Sequence, residues 1–187
     1  MSHTAFKPGR LYWGNLSWLL LSLVVIAADA ASKWAASTYL HYATALPITG
    51  FFNLTLLHNH GAAFSFLANS GGWQRWGFAV LAGLVAFGLL VWLLRIPRRT
   101  KANCVPRRTL WVKVAIALII GGALGNLIDR LNLGYVVDFL DFHAAGYHWP
   151  AFNIADSAIT LGVILLLMVE LVPAPKPAPR PAEPNQP

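Results

Sequence analysis

Residues 110–130 read LWVKVAIALIIGGALGNLIDR, an apolar run interrupted by one charge, Lys113, before it closes on Asp129 and Arg130. At 1.5 Å of rise per residue, roughly 20 helical residues cross the ~30 Å hydrocarbon core of a bilayer. The stretch therefore reads as a transmembrane helix over 110–128, and Gly121 and Gly125 at small-xxx-small spacing give it a face that a second helix can approach closely. Residues 16–37, 74–94 and 154–172 qualify in the same way. Of the 187 residues, 57% are hydrophobic and 11% charged, against about a quarter charged in water-soluble domains. The expected fold is an all-α membrane protein of four transmembrane helices, with a small extracytoplasmic β-sheet and a short interfacial helix or loop between them.

Positive charge sets the orientation. Lys7 and Arg10 precede the first apolar run, and Arg95, Arg98, Arg99, Lys101, Arg107, Arg108 and Lys113 lie between the second and third. By the positive-inside rule these face the cytoplasm, so both termini do. The net charge of +7 is gathered into such short segments, which reads as topology and not as nucleic-acid binding. The first run resembles a secretory signal, but Asp29 and Lys33 follow it where a cleavage site would be, so a retained helix is expected. The organisation is then a cytoplasmic tail (1–15) and a four-helix domain (16–172) with a cytoplasmic basic loop (95–109) and outer segments at 38–73 and 129–153. A proline-rich, disordered cytoplasmic tail (173–187) completes it. The single cysteine, Cys104, excludes an internal disulfide and any multi-cysteine metal site.

The outer segments hold most of the polar residues that are not basic. Residues 48–57 read as a strand by propensity, 62–67 as a second extended or amphipathic piece, and 69–72 as a turn before the second helix. Residues 135–142 set apolar side chains around Asp138 and Asp141. Asn153 suits a helix cap, with Asp156 in the first turn beyond it.

Only 7 residues are Asp or Glu, and carboxylates inside or beside apolar runs are costly and usually functional. Two of them in a partly dry site share one proton and titrate as a pair. The ionised member activates a water while the protonated member donates to a scissile carbonyl, which suits peptide hydrolysis without a metal. The residues themselves leave the pairing open. Asp129 beside Arg130 reads equally as an interfacial ion pair, and Asp141, in the same apolar stretch, competes as partner of Asp138. Asp29 and Lys33, one turn apart, form an intrahelical pair. His58 and His60 with His143 and His148 suggest a zinc site spanning the outer segments, without a helical H-E-x-x-H to support it. Trp13, Trp18, Trp73, Trp76, Tyr147 and Trp149 near helix ends form an aromatic belt. A proton-coupled transporter would also bury carboxylates, but the polar residues gather at one interface and no internal repeat is evident. A noncatalytic adaptor would differ in keeping its function without the aspartates.

Five short motifs, in order, resemble those of the lipoprotein signal peptidases, also called signal peptidase II. Asp29 and Lys33 resemble D-x-x-x-K; Asn59-His60-Gly61-Ala62-Ala63-Phe64-Ser65 resembles N-x-G-A-A-F-S; Gly125-Asn126-Leu127-Ile128-Asp129-Arg130 resembles G-N-x-x-D-R. Val137-Asp138-Phe139 resembles V-D-F, and Phe152-Asn153-Ile154-Ala155-Asp156-Ser157 resembles F-N-x-A-D-S. Ala30 departs from the pattern, since many members carry Gln there. The resemblance implies a membrane aspartyl endopeptidase that removes signal peptides from prolipoproteins by cleaving before a diacylglyceryl-modified cysteine. It implies Asp138 and Asp156 as the catalytic pair, with Asn59, Gly61, Asn126, Asp129, Arg130, Asn153, Asp29 and Lys33 binding substrate or supporting the site. It further implies no cofactor or metal, contact with membrane lipid, action as a monomer, and binding of peptide inhibitors such as globomycin at the dyad. The location implied is the bacterial inner membrane, with the active site at its extracytoplasmic face.

Overall fold

In the computed structural model of the chain the described residues are 10–61, 73–97 and 107–171. The expected extended piece at 62–67, the turn at 69–72, Cys104, most of the basic loop and the tail at 173–187 lie outside them. Four helices carry the apolar runs: α1 (Leu19–Tyr39), α2 (Trp73–Arg95), α3 (Arg107–Asn132) and α4 (Ile154–Leu171). A 3₁₀ turn, Trp13–Trp18, extends α1 so that the candidate span is Trp13–Tyr39. All four are long and apolar enough to cross a membrane, as read from the sequence. The third helix runs a turn beyond the expected 128, so Asp129 and Arg130 are helical and the outer segment begins after Asn132.

α3 is the central helix, packing against each of the other three. Its apolar window is 61% buried, against 22% in the other spans. In lipid there is little hydrophobic drive between helices, so close packing must hold them together. Glycines supply it. A Cβ at Gly121 would come within 2.8 Å of Val25 on α1, one at Gly162 within 2.6 Å of Ile119, and one at Gly122 would collide with the Ala155 carbonyl. At the end of α2, Asn15 donates to the carbonyls of Leu93 (2.9 Å) and Ile96 (2.7 Å) and accepts from Lys113 (3.0 Å). A helix end in an apolar setting needs such partners for its orphan carbonyls. Lys113 is thus buried within α3, not part of the loop.

A four-stranded antiparallel sheet in the order β1-β2-β3-β4 joins the opposite end of the bundle. Its strands are β1 (Ala45–Thr49), β2 (Phe52–Asn59), β3 (Val136–Ala144) and β4 (Tyr147–His148). The single strand expected at 48–57 is instead a hairpin, because the chain turns at Gly50 and Phe51. Leu56, Val137 and Phe139 seat the sheet on Ala36 of α1. β2 and β3 pair Phe52 with Phe142 through Leu54 with Leu140, then Leu57 with Asp138 through Asn59 with Val136, and the register shifts between Leu54 and Leu57.

Candidate active site

The loop from β3 to α4 ends in Asn153, which caps α4. Its side-chain oxygen accepts from the Asp156 backbone N–H at 2.9 Å, and Asp156 Oδ2 accepts from the Asn153 N–H at 3.3 Å. This reciprocal capping box satisfies two orphan donors and fixes the Asp156 carboxylate at the mouth of the helix. The same Asn153 turns its amide toward β3, donating to Asp138 Oδ1 at 2.7 Å. One fully buried asparagine therefore ties both aspartates together.

Asp138 receives a second amide, from Asn59 to Oδ2 at 3.0 Å. The register shift in β2 makes that contact possible. Asn53 and Thr55 donate to Asp141 while Asn59 reaches Asp138, although all three are odd-numbered positions of one strand. A bulge switches the faces between them. Asp138 is buried, and burial together with the charge of Asp156 pushes its carboxyl up to about 7, against the opposing pull of the Asn59 and Asn153 amides.

Next to the pair lies a charged layer drawn from α1 and α3. Lys33 bonds to Asp29 (2.6 Å), Asp129 (2.9 Å) and the Asn126 oxygen (3.1 Å). The intrahelical pair of Asp29 and Lys33 is as expected, but Asp129 partners Lys33 across the bundle instead of its neighbour Arg130. Asp29 also accepts the Ala155 N–H at 2.9 Å, a second cap on α4, from a space that a Cβ on Gly125 would fill. Asp129 accepts the Val137 N–H at 3.1 Å and so anchors the start of β3. Asn126 passes the order to the pair, its amide donating to Asp156 Oδ1 at 2.7 Å. With two carboxylates around one ammonium, each ion in this layer is compensated, as burial demands.

Arg130 donates to the carbonyls of Asn126 (3.2 Å) and Gly61 (3.3 Å), lies over the Phe78 ring, and carries its charge among Asp129, Asp138 and Asp156. Gly61 is pinned in turn to the Asn59 side chain at 3.0 Å. All ten expected site residues thus gather at one end of the bundle. Arg75 was not among them. It donates to the carbonyls of Arg130 (2.6 Å) and Leu131 (2.7 Å), holding the end of α3. The signal for it was an arginine at the start of the second apolar run, on the side away from the basic loop.

Both aspartates open on a cavity of about 860 Å³, walled by Asn59, Asn126, Arg130, Trp149, Pro150 and Phe152 and continuing along α4 to Leu161. A polar floor under an apolar-walled cleft is the ordinary form of a binding site. Each oxygen of the two carboxylates accepts a hydrogen bond and has a further lone pair for water or substrate. Asp141 is not part of it. Three positions from Asp138, it takes the other face of β3, and donors from His148, Asn53 and Thr55 outweigh burial and hold its carboxyl below the usual range. The histidines do not converge either. His58 and His60 pack around Tyr135, while His143 and His148 stack on each other. Among the described residues no three metal-binding side chains come together.

The family model for signal peptidase (SPase) II matches residues 21–172 of this chain. A lipoprotein signal peptidase of Acinetobacter baumannii is 56% identical over 170 residues, spanning 90% of this chain and 92% of that protein. One from Paraburkholderia phytofirmans is 49% identical over 171 residues, spanning 91% and 94%. A bacterial membrane enzyme structure obtained by the in meso method at 2.3 Å aligns with a TM-score of 0.69 and 32% identity, over 87% of this chain and 91% of that one.

Proposed function

Because this chain belongs to the signal peptidase II family, we propose that it removes signal peptides from prolipoproteins with Asp138 and Asp156 as its catalytic pair. The family is one of aspartyl proteases, and the chain is a multi-pass membrane protein. The single observation that carries the assignment is Asn153, whose backbone and side chain bond both carboxylates at the floor of one cavity.

The pair holds one proton. The ionised carboxylate takes a proton from water as the oxygen attacks the scissile carbonyl carbon, and the protonated one donates to the carbonyl oxygen. In the collapse of the tetrahedral intermediate a hydroxyl proton returns to the dyad, the dyad protonates the amide nitrogen, and the C–N bond breaks. One proton is again left on the pair. Asn59, Asn126 and Asn153 keep the carboxylates oriented with amide donors that do not titrate, while Lys33, Asp29 and Asp129 hold Asn126 and the helix mouth. Arg130, which lines the cavity and holds the Gly61 carbonyl, faces the substrate backbone.

The bond cut lies before a cysteine bearing diacylglycerol. A lipid-anchored substrate suits a cavity that continues down α4 into the span. The distribution of Lys and Arg supports a site on the extracytoplasmic face of the inner membrane, with the ends of the four-helix domain (16–172) and its tails in the cytoplasm. The protein works as a monomer in contact with lipid, and globomycin-like peptides occupy the dyad. The test is cleavage of a diacylglyceryl-modified prolipoprotein by the purified protein, beside the same precursor without lipid. Cleavage only of the modified form is expected; equal cleavage of both would remove the reason for a site at the bilayer surface.

A further inference from the structure

Asp141, His143 and His148 form a polar cluster outside the dyad that the hydrolysis does not use. Asp141 is buried and joins three strands: Asn53 (3.1 Å) and Thr55 (3.0 Å) of β2 donate to Oδ2, and His148 Nδ1 of β4 donates to Oδ1 at 2.7 Å. A carboxylate only accepts, so Nδ1 carries the hydrogen. His148 is delivered there by a two-residue turn, Ala145 and Gly146, both at positive φ as a type I′ hairpin requires. The ring also stacks on its cross-strand partner His143 at 5.1 Å.

Immediately after His148 the chain becomes the wall of the cavity. Trp149, Pro150, Ala151 and Phe152 all line it, and the next residue is Asn153. The Trp149 N–H bonds to the Phe142 carbonyl at 2.7 Å, and Phe152 exchanges backbone bonds with Leu140. The direction in which the wall leaves β4 is set at its last residue, His148. We propose that Asp141 is a positioning residue for the cleavage: through His148 it clasps β4 to β2 and β3 and sets the 149–152 wall against the substrate. It touches no reacting atom, and its effect is on binding. The proposal rests on the assignment of the dyad.

Asp141→Ala would leave Asn53 and Thr55 without an acceptor and stands to unfold the sheet, so the test is made at His148, whose side chain is 54% exposed. His148→Phe keeps a ring against His143 and removes the donor to Asp141; His148→Asn restores a donor near the Nδ1 position. Steady-state cleavage of a diacylglyceryl-modified prolipoprotein is measured for both variants in bilayer discs, beside Asp138→Asn. The clasp is expected to show as a KM about tenfold higher in His148→Phe, the effect of losing one charge-assisted hydrogen bond, with kcat within about twofold and the Asn variant close to the parent. An unchanged KM, a fall in kcat alone, or an Asn variant as impaired as the Phe variant would each overturn it. Turnover surviving in Asp138→Asn would instead sink the dyad, whatever happens at His148.

Discussion

Asp138 joins burial to the proposed chemistry. Its carboxyl is raised from the ordinary 3.8 to about 7, first by burial and then by Asp156, so the folded protein holds a proton that the unfolded chain gives up. Stability from this group is therefore complete below about pH 4 and declines as pH rises toward 7. Asp138→Asn removes the penalty; its unfolding temperature is expected to exceed the parent's at pH 8 but not at pH 4, by scanning calorimetry in detergent. Activity needs the same proton. Turnover should follow a bell whose alkaline limb falls near pH 7 as the pair loses its last proton, and a flat profile from pH 5 to 8 with chemistry rate-limiting would contradict that. Lys33 answers for the charged layer next to the pair. Lys33→Met leaves Asp29 and Asp129 buried without their cation, a loss of about 3–5 kcal/mol by the usual behaviour of broken buried pairs; denaturation in mixed micelles would read it.

Among elements, α4 is the one whose placement matters most, since its first turn carries Asp156 and its cap Asn153. It sits where it does because Gly122 lets α3 reach the Ala155 carbonyl and Ile159. Gly122→Ala is expected to push α4 outward and cut turnover at least tenfold, the scale of loss that small misplacements of a site produce, whereas Gly83→Ala, with nothing within 4 Å of its Cβ, should be neutral. Equal activity in the two would remove helix approach from the explanation. The helices were legible because a run of apolar residues long enough for a bilayer has few other meanings. The cap at Asn153 was legible too, since N-x-x-D before an apolar run is a local signal. What could not be read was whatever depends on register. The opposite facing of Asp138 and Asp141, three positions apart, follows from strand alternation alone; the bulge that splits Asn53 and Thr55 from Asn59 is set by how β2 meets β3, and the two strands lie far apart in the chain. For the same reason adjacency alone offers Arg130 as a partner for Asp129, while the partner in the structure, Lys33, waits on another helix.

Among the described residues the molecule is polarised, with the aspartates, the site asparagines and the sheet at one end and Arg10, Arg95, Arg108 and Lys113 at the other. By the positive-inside rule that asymmetry is the ground for the proposed direction in the membrane. A cysteine placed at Tyr147, 84% exposed on the β3–β4 hairpin, in a Cys104→Ser background should react with an impermeant maleimide on the extracytoplasmic side of sealed cells or spheroplasts. Reaction only after lysis would invert the topology. It would also separate the site from a substrate presented at the outer leaflet. The polar layer spans one end only, so the arrangement serves a reaction at an interface and not a path through it. Everything in that arrangement converges on two side chains, and the most direct measurement is the rate at which purified Asp138→Asn and Asp156→Asn cleave a diacylglyceryl-modified prolipoprotein in bilayers. Each is expected to fall to the uncatalysed background while retaining the parent's fold and substrate binding; a correctly folded variant that keeps a substantial fraction of parental turnover would contradict the assignment of the pair.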